Sequence, residues 1–321
     1  MKRLKSLACL ALALVMVFTL AACGSTFDGN YKEVTGEDYN NTVTEVKTAY
    51  EKGGVNSMLE GKSTSGSKSI RLADADSSTA VGAKAELNMT VNYKKGDKEY
   101  AIETKNTQNV GVSDSKVVIA ATSSAKINKT ELKTEAYSKD GDLYVRVKSG
   151  DKDNKIKVTT LLSGAFSLSL DELVDFDELN EYASQVVTLS ADTLNSFGVK
   201  VYMDKGDETM KVKYVLDQEA FKKLMGEEDS TDSAFEFKEY YVIVVLDNNK
   251  GVTGVKVVCD VQLTVDEAVV GTKIEGYVER SDKEVKLPSL DDYSDVTVSS
   301  GLETMSTFTE FFSEVAKVFG A

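Results

Sequence analysis

Strict alternation of apolar and polar residues marks the middle of the chain. Between Val81 and Tyr93, apolar side chains occupy the odd-numbered positions, and polar or small side chains occupy the even-numbered ones. This period of two predicts a β-strand with one buried face and one face in water. Weaker runs of the same kind follow at 99–110, 116–127, 130–138, 142–148, 155–160, 199–204 and 208–216, separated by turn-forming stretches such as SKDGD and MDKGDE.

Three longer strands are predicted towards the C-terminal end of the chain. The segment EFKEYYVIVVLD carries apolar residues on both faces after Tyr240, which is typical of a central strand covered on both sides. Alternation then continues from Val255 to Val265 and from Val270 to Val278. Many one-sided strands joined by short turns predict an antiparallel, twisted sheet rather than βαβ units.

Helical periodicity appears in three places, one before the strands and two between them. Apolar residues share one helical face over 38–52 and again over 170–197, and a shorter helix is predicted at 217–226. Asp217 is the candidate N-cap of the short helix, and Gly226 is its end. Because the sheet needs a cover for its apolar face, the predicted fold class is α+β, with a large antiparallel sheet covering a few helices.

The first 23 residues resemble the signal of a bacterial lipoprotein. Three cations in residues 2–5 precede an apolar run over 7–22, which is shorter than the roughly 20 residues of a spanning helix. Leu20, Ala21, Ala22 and Cys23 match a lipobox. The resemblance implies a lipid on the Cys23 sulfur, cleavage before Cys23 and attachment to the outer face of the cell membrane. The alternative is ordinary cleavage followed by secretion.

These patterns predict four segments: a signal peptide over 1–22, a flexible tether over 23–37, an α+β domain over 38–298 and a C-terminal amphipathic helix over 299–321. In the tail, one helical side carries Leu302, Met305, Phe308, Phe312, Val315 and Phe319, with Phe311 and Val318 nearby. Its polar side is acidic, whereas interfacial membrane helices usually carry cations there. We therefore expect the tail to dock on its own sheet or on a partner.

The layout of the chain resembles the LolA/LppX-like half-barrel lipoproteins, including uncharacterised lipoproteins of Gram-positive bacteria. The resemblance rests on the lipidated N-terminus, an early helix, meandering strands, the segment YVLDQEAFKKLMG and the segment EVKLPSLDDYSDV, over residues 38–296. It implies a curved sheet wrapped around helices, with an apolar space that can hold acyl chains or other lipophilic ligands. No motif residue of that group carries over by position.

Charge and composition narrow the partners and the chemistry. The net charge is −14, and loss of the three signal cations makes it −17, which disfavours nucleic acid and anionic lipid headgroups as partners. The chain has no His, so His-dependent catalysis and His-ligated zinc are excluded. No catalytic, cofactor or metal site is predicted; an enzyme would need a Lys, Tyr or carboxylate site. Cys259 lies on an apolar stripe, which indicates a buried structural thiol.

Small residues are frequent at the apolar positions of the predicted strands. They leave space either for a ligand cavity or for a closely packed helix. If a cavity forms, the predicted lining is Ala83, Ala85, Leu87, Ala121, Ala125, Ala136, Phe176, Leu179, Val257, Cys259, Val261, Ile274 and Gly276.

Two functional hypotheses follow from these patterns. The first is a non-enzymatic, membrane-anchored extracytoplasmic protein that binds a lipophilic small molecule between sheet and helices. The alternative is a packed interaction module that engages a cell-envelope protein through its acidic surface or its C-terminal helix.

Overall fold

A computed structural model of the chain describes residues 25–52, 82–113, 116–140, 142–158, 183–220, 234–265, 267–281 and 283–319. These residues form one open, curved sheet of 13 strands with helices packed against it. The predicted α+β class with a large antiparallel sheet is therefore confirmed.

The strands lie close to the predicted positions. They are β1 (Lys32–Glu33), β2 (Gly82–Lys95), β3 (Lys98–Ser113), β4 (Lys116–Ile127), β5 (Thr130–Lys139), β6 (Asp142–Ser149), β7 (Lys152–Val158), β8 (Lys200–Lys205), β9 (Thr209–Leu216), β10 (Ala234–Asp247), β11 (Val252–Val265), β12 (Ala268–Ser281) and β13 (Ser294–Asp295). The described helices are α1 (Gly36–Glu51), α2 (Ala191–Phe197) and α3 (Val298–Phe319), with shorter helical stretches at 183–187 and 218–220.

The strand order in the sheet is β1-β8-β9-β10-β11-β12-β2-β3-β4-β5-β6-β7-β13. Neighbouring strands are antiparallel except β7 and β13, which are parallel. Tight hairpins connect β2 through β7, and their turns use left-handed residues such as Gly96, Asn128 and Gly150. Both edges of the sheet end in a strand of two residues, which limits the exposed edge available to other chains.

The helices pack on one face of the sheet, which we call the inner face. From α1, Tyr39 donates a hydrogen bond to the Val199 carbonyl at 3.0 Å, and Val43 and Val46 are fully buried. From α3, Thr307 Oγ1 lies 3.0 Å from Asn154 Nδ2 on β7. The register of the strands places Asn154 on the same face as Leu87, so α1 and α3 cover the two halves of one surface.

The predicted helix over 170–197 is interrupted in the structure, and its first part lies outside the described residues. Residues 183–187 are helical, but the chain leaves the helix at 188–190 and α2 begins afterwards. Ser190 Oγ accepts a hydrogen bond from the Thr193 amide at 3.1 Å, and Gly198 ends α2 with a φ of 83°. A Ser side chain that caps a new helix competes with continuation of the old one, and this explains the break.

The segment predicted as a flexible tether is packed against the sheet from residue 25 onwards. Phe27 is 4% exposed on the outer face, where its ring lies 5.3 Å from the ring of Tyr277. The chain then turns around the sheet edge, where β1 pairs with β8, and enters α1 on the inner face. We call residues 25–35 the N-terminal clasp. Burial of one aromatic ring makes this short polar segment part of the fold.

A similar arrangement closes the opposite edge of the sheet. Residues 283–293 follow the outer face, where Tyr293 packs edge-on against Tyr144 at 5.7 Å, and Lys155 forms an ion pair with Asp292. After β13, the chain enters α3 on the inner face, where Phe311 and Val315 are each 4% exposed. Of the two expectations for the tail helix, docking on its own sheet is therefore observed.

Candidate functional site

The inner face of β2 is the centre of the candidate site. Its odd-numbered side chains, from Ala83 to Val91, are buried on this face, whereas the even-numbered ones point to the outer face. The alternation predicted from the sequence is therefore the alternation in the sheet. Because the period of a strand is two, each of these side chains has a neighbour on the same face of β12 and of β3.

The strand register aligns the predicted lining residues on this one face. Leu87 is opposite Gly276, Gly276 is opposite Val257, and Cys259 is opposite Ile274. On the other side of β2, Ala121 of β4 is opposite Ala136 of β5. The inner face thus contains Ala83, Ala85, Leu87, Ala121, Ala125, Ala136, Val257, Cys259, Val261, Ile274 and Gly276. Phe176 and Leu179 lie outside the described residues.

Two hydrophobic clusters meet on the inner face. The first lies between α1, α2, residues 183–187 and strands β8–β12, and it includes Ala85, Leu87 and Val257. The second lies under α3 and includes Met89 and Val91 together with Phe311 and Val315. Ile274 packs against both clusters. The clusters therefore divide one continuous face between the helices that cover its two halves.

A single cross-strand row through Leu87 shows how the chemistry of this face changes. On one side of Leu87 the row runs through Gly276, Val257, Val242, Tyr214 and Val201, and on the other side through Asn106, Ser123, Thr134, Val147 and Asn154. The first side is apolar apart from the Tyr214 hydroxyl, and the second side is mostly polar. At the level of Leu87, the inner face therefore changes from apolar to polar between β2 and β3, whereas Ile102 and Ile127 keep it apolar nearer the second cluster.

Three buried polar side chains mark this boundary. Thr104, Asn106 and Gln108 on β3 are 5%, 2% and 5% exposed. Within the described part of the chain, Thr104 Oγ1 has no hydrogen-bond partner. Burying a hydroxyl without a partner costs free energy, of the order of 1–3 kcal/mol in proteins. A hydrogen bond from a ligand to this hydroxyl would offset that cost.

The sequence pattern alone does not single out these three residues. They occupy the even-numbered positions of β3, between the buried apolar residues Ile102 and Val110. The flanking apolar residues indicate that the intervening even positions also face inwards. The flanking apolar residues are the one indication in the sequence that these polar side chains face inwards. The run itself is polar, so it predicts only a weak strand.

The face beside these polar groups is lined by small side chains. Ala121, Ala125 and Ala136 and the hydroxyl residues Ser123 and Thr134 are only partly buried. Each is directly opposite another small or polar residue across β3, β4 or β5. We call these five residues the strip. It is an accessible, flat surface that is bordered by both apolar and hydrogen-bonding groups.

Cys259 also lies on the inner face and is partly buried. Burial raises the pKa of its thiol to about 12, and the carboxylate of the neighbouring Asp260 adds to the increase. The thiol is therefore protonated at neutral pH and is a poor nucleophile or metal ligand. This agrees with the structural role that the apolar stripe indicated.

The described residues bring together no group of three or more Cys, Asp or Glu side chains that could hold a metal ion. Within the same residues, no helix has both the length and the apolar character needed to cross a membrane.

No protein-family model matches the chain, and comparison with curated proteins finds no match. Among solved structures, the chain is similar to a DUF1329 family protein from Desulfovibrio piger, with 11% identity over 68% of this chain and 91% of that chain, and a TM-score of 0.18. The translocator domain of the autotransporter NalP from Neisseria meningitidis has 8% identity, covers 76% of this chain and 99% of its own, and has a TM-score of 0.18. A protein classed as AttH from Nitrosomonas europaea has 7% identity, with 70% and 58% coverage and a TM-score of 0.16. Similarities this weak carry no argument about function.

Proposed function

We propose that this protein is a non-enzymatic, lipid-anchored extracytoplasmic protein that holds a lipophilic ligand between its sheet and its helices. The ligand is amphiphilic, with an apolar part beside Leu87 and Ile274 and a polar group that hydrogen-bonds to Thr104. The N-terminal lipid on Cys23 attaches the protein to the membrane.

The observation that supports this proposal most strongly is the composition of the inner face. All eleven described residues of the predicted lining fall on one face of one sheet. The accessible strip of small residues lies between two apolar clusters and beside the buried hydroxyl of Thr104. An amphiphile satisfies both the apolar surface and the buried polar groups, whereas a pure hydrocarbon satisfies only the first.

Substitutions that fill the strip test ligand binding. In an A121L/A136L variant, two larger side chains occupy the space between β4 and β5 on the inner face. The matched control is A120L, because Ala120 is the neighbour of Ala121 on the outer face. Binding is measured by titration with a fluorescent fatty acid. We expect the double variant to lose binding and the control to retain it, with both remaining folded by circular dichroism.

The proposal is wrong if the unsubstituted protein does not bind the fatty acid, or if A120L and A121L/A136L lose binding equally. The second result would mean that the probe binds the surface non-specifically.

The membrane anchor is tested separately with Cys23→Ser. Two acyl chains hold a protein on a membrane stably, because each buried CH₂ contributes about 0.8 kcal/mol. We expect the unsubstituted protein to sediment with membranes and to incorporate labelled palmitate, and the variant to do neither. Equal membrane association of both proteins contradicts lipidation at Cys23.

A second candidate function is an interaction module, and one feature of α3 favours it. Val298, Leu302 and Met305 are 83%, 63% and 67% exposed, although they are large and apolar. Their spacing places them on one side of the helix, away from Phe311 and Val315. A photo-crosslinker at position 302 is expected to capture one envelope protein, and the same group at Glu303, which is exposed on another side of the helix, is the control. Equal labelling from both positions argues against a specific partner.

A further inference from the structure

A groove on the outer face lies between the β4–β5 and β6–β7 hairpins. It has a volume of about 460 Å³ and is lined by Lys129, Glu131, Lys133, Glu135, Arg146 and Lys148, together with the backbone of the β6–β7 turn. This volume is within the range of small-ligand sites. The groove is on the opposite side of the sheet from the inner face, so it is separate from the proposed ligand site.

Arg146 already pairs with the carboxylates nearest to the groove. Its Nε and Nη2 atoms each lie 2.7 Å from an oxygen of Asp153, and its Nη1 lies 3.3 Å from Glu135 Oε1. The hydrogen bond from Arg146 lowers the pKa of Asp153, so this carboxylate is ionised and engaged. One guanidinium thus engages two of the nearby acids, although Asp153 is also directly opposite Lys148 and offsets part of its charge.

The lysines of the groove retain an excess of positive charge. Lys133 and Lys148 are directly opposite each other on β5 and β6. Lys133 lies 3.4 Å from Glu131, whereas Lys129 and Lys148 form no ion pair with any carboxylate in the described part of the chain. Like charges directly opposite in a sheet destabilise it. An anion in the groove removes this repulsion.

The positive charge extends beyond the groove. Across β4, Ser124 is opposite both Lys133 and Lys105, so the three lysines lie in one row on the outer face. Strands are about 4.8 Å apart, which places Lys105 about 10 Å from Lys133 and Lys148 about 5 Å from it at the level of the backbone. Residues 116–158 contain ten Lys or Arg and six Asp or Glu, a net charge of +4 in a chain of −14. The overall negative charge therefore conceals a local basic surface.

We propose that this groove binds a linear polyanion whose phosphate groups contact Lys129, Lys133 and Lys148 and whose chain continues to Lys105. A single small anion fills the groove but leaves Lys105 unused, and a flat bilayer surface does not enter a recess between two hairpins. A chain with regularly spaced charges matches the row of lysines. Arg146 is a positioning residue, because its bonds to Glu135 and Asp153 fix where these two carboxylates lie beside the lysines.

The test measures binding of inorganic polyphosphate to the full-length chain in non-ionic detergent over a series of salt concentrations. The test variant is K133Q/K148Q. The control is K95Q/K98Q, which removes another directly opposed lysine pair at the β2–β3 hairpin, where no groove lining is involved. Both variants lose the same charge, so the control corrects for the overall field of the protein.

We expect K133Q/K148Q to bind polyphosphate at least about tenfold more weakly, with the slope of log K against log salt reduced by about two, one unit for each lysine. The K95Q/K98Q variant is expected to match the unsubstituted chain. Thermal stability of K133Q/K148Q is expected to be unchanged or higher, because a repulsion is removed.

The proposal is overturned if polyphosphate does not bind, whether or not anionic phospholipid vesicles do, or if both variants weaken binding equally. Equal affinity for orthophosphate and polyphosphate would also overturn it, because a polymer site must gain affinity from the repeated charges. Loss of fatty-acid binding is not expected in K133Q/K148Q, so failure here is distinguishable from failure of the proposed function.

Discussion

Replacement of Phe27 by Ala tests whether the N-terminal clasp belongs to the fold. The Phe27 ring is 4% exposed and lies 5.3 Å from the ring of Tyr277 on the outer face. A β-carbon at Gly254 would lie 3.2 Å from the same ring, so Phe27 packs closely over the backbone of a glycine. The clasp is also held by the Val34 amide, which donates to the Val201 carbonyl at 2.9 Å.

The magnitude follows from the lost packing. Phe→Ala substitutions at buried sites cost about 3–5 kcal/mol, of which an aromatic pair supplies about 0.5–1.5 kcal/mol. Because the clasp contributes only the two-residue edge strand β1 to the sheet, it can open without unfolding of the sheet, and the loss then falls on the local opening equilibrium. A loss of about 3 kcal/mol makes the clasp open about a hundredfold more often, since 1.4 kcal/mol is a factor of ten.

Hydrogen exchange measured by mass spectrometry reports this opening at the Val34 amide. We expect exchange in residues 25–35 to accelerate about a hundredfold in F27A while exchange in β4 and β5 is unchanged. F27L retains most of the apolar contact and is expected to show a much smaller acceleration. If residues 25–35 of the unsubstituted protein already exchange at the rate of an unfolded peptide, the segment is a free tether and the packing described for Phe27 is refuted.

Three further predictions concern the inner face. Thr104→Val should stabilise the protein by about 1 kcal/mol in urea unfolding, because it removes an unpartnered buried hydroxyl. The same substitution should weaken ligand binding. Destabilisation would mean that the hydroxyl has a hydrogen-bond partner. Phe311→Ala should cost about 3–5 kcal/mol, because Phe311 anchors α3 to the second cluster; an unchanged urea midpoint would mean that α3 is not docked. Burial raises the pKa of the Cys259 thiol from 9.0 to about 12, which makes its thiolate about a thousandfold scarcer at pH 8. A disulfide reagent should therefore react slowly with Cys259 in the native protein, and faster as the pH rises towards 12. Rapid reaction at pH 8 would contradict this prediction.

The sheet could be predicted from the sequence because its strands are amphipathic. The alternation from Val81 to Tyr93 fixes which residues of β2 face inwards, and the same period fixes those of β11 and β12. Short turns between the runs then give antiparallel neighbours. The order of the strands in the sheet could not be predicted in this way. β12 pairs with β2 although the two strands are far apart in sequence, and no local pattern specifies that pairing.

The clasp could not be predicted, because its composition is that of a linker. The segment from residue 24 to residue 38 is mostly small and polar, and Phe27 and Tyr31 are the two aromatic residues within it. Its partner Tyr277 comes from a distant strand and occupies an outward-facing position. Only the tertiary structure brings the two rings together.

The polar part of the candidate site was missed for a related reason. Thr104, Asn106 and Gln108 are buried although their side chains are those of exposed strand positions. In the same way, each lysine of the groove is an ordinary surface residue in the sequence. The strand register places Lys133 directly opposite Lys148, and this juxtaposition is what distinguishes the groove from a solvated face.

The central claim is that the inner face holds an amphiphilic ligand, and native mass spectrometry of the chain without its first 23 residues tests it most directly. The protein is purified without detergent, and its native spectrum is compared with that of the same sample after organic extraction. We predict an adduct of lipid mass, in one-to-one ratio with the protein, that disappears on extraction and is absent from A121L/A136L but present in A120L. A single ligand-free mass that stays unchanged after incubation with membrane lipids would contradict the proposed function.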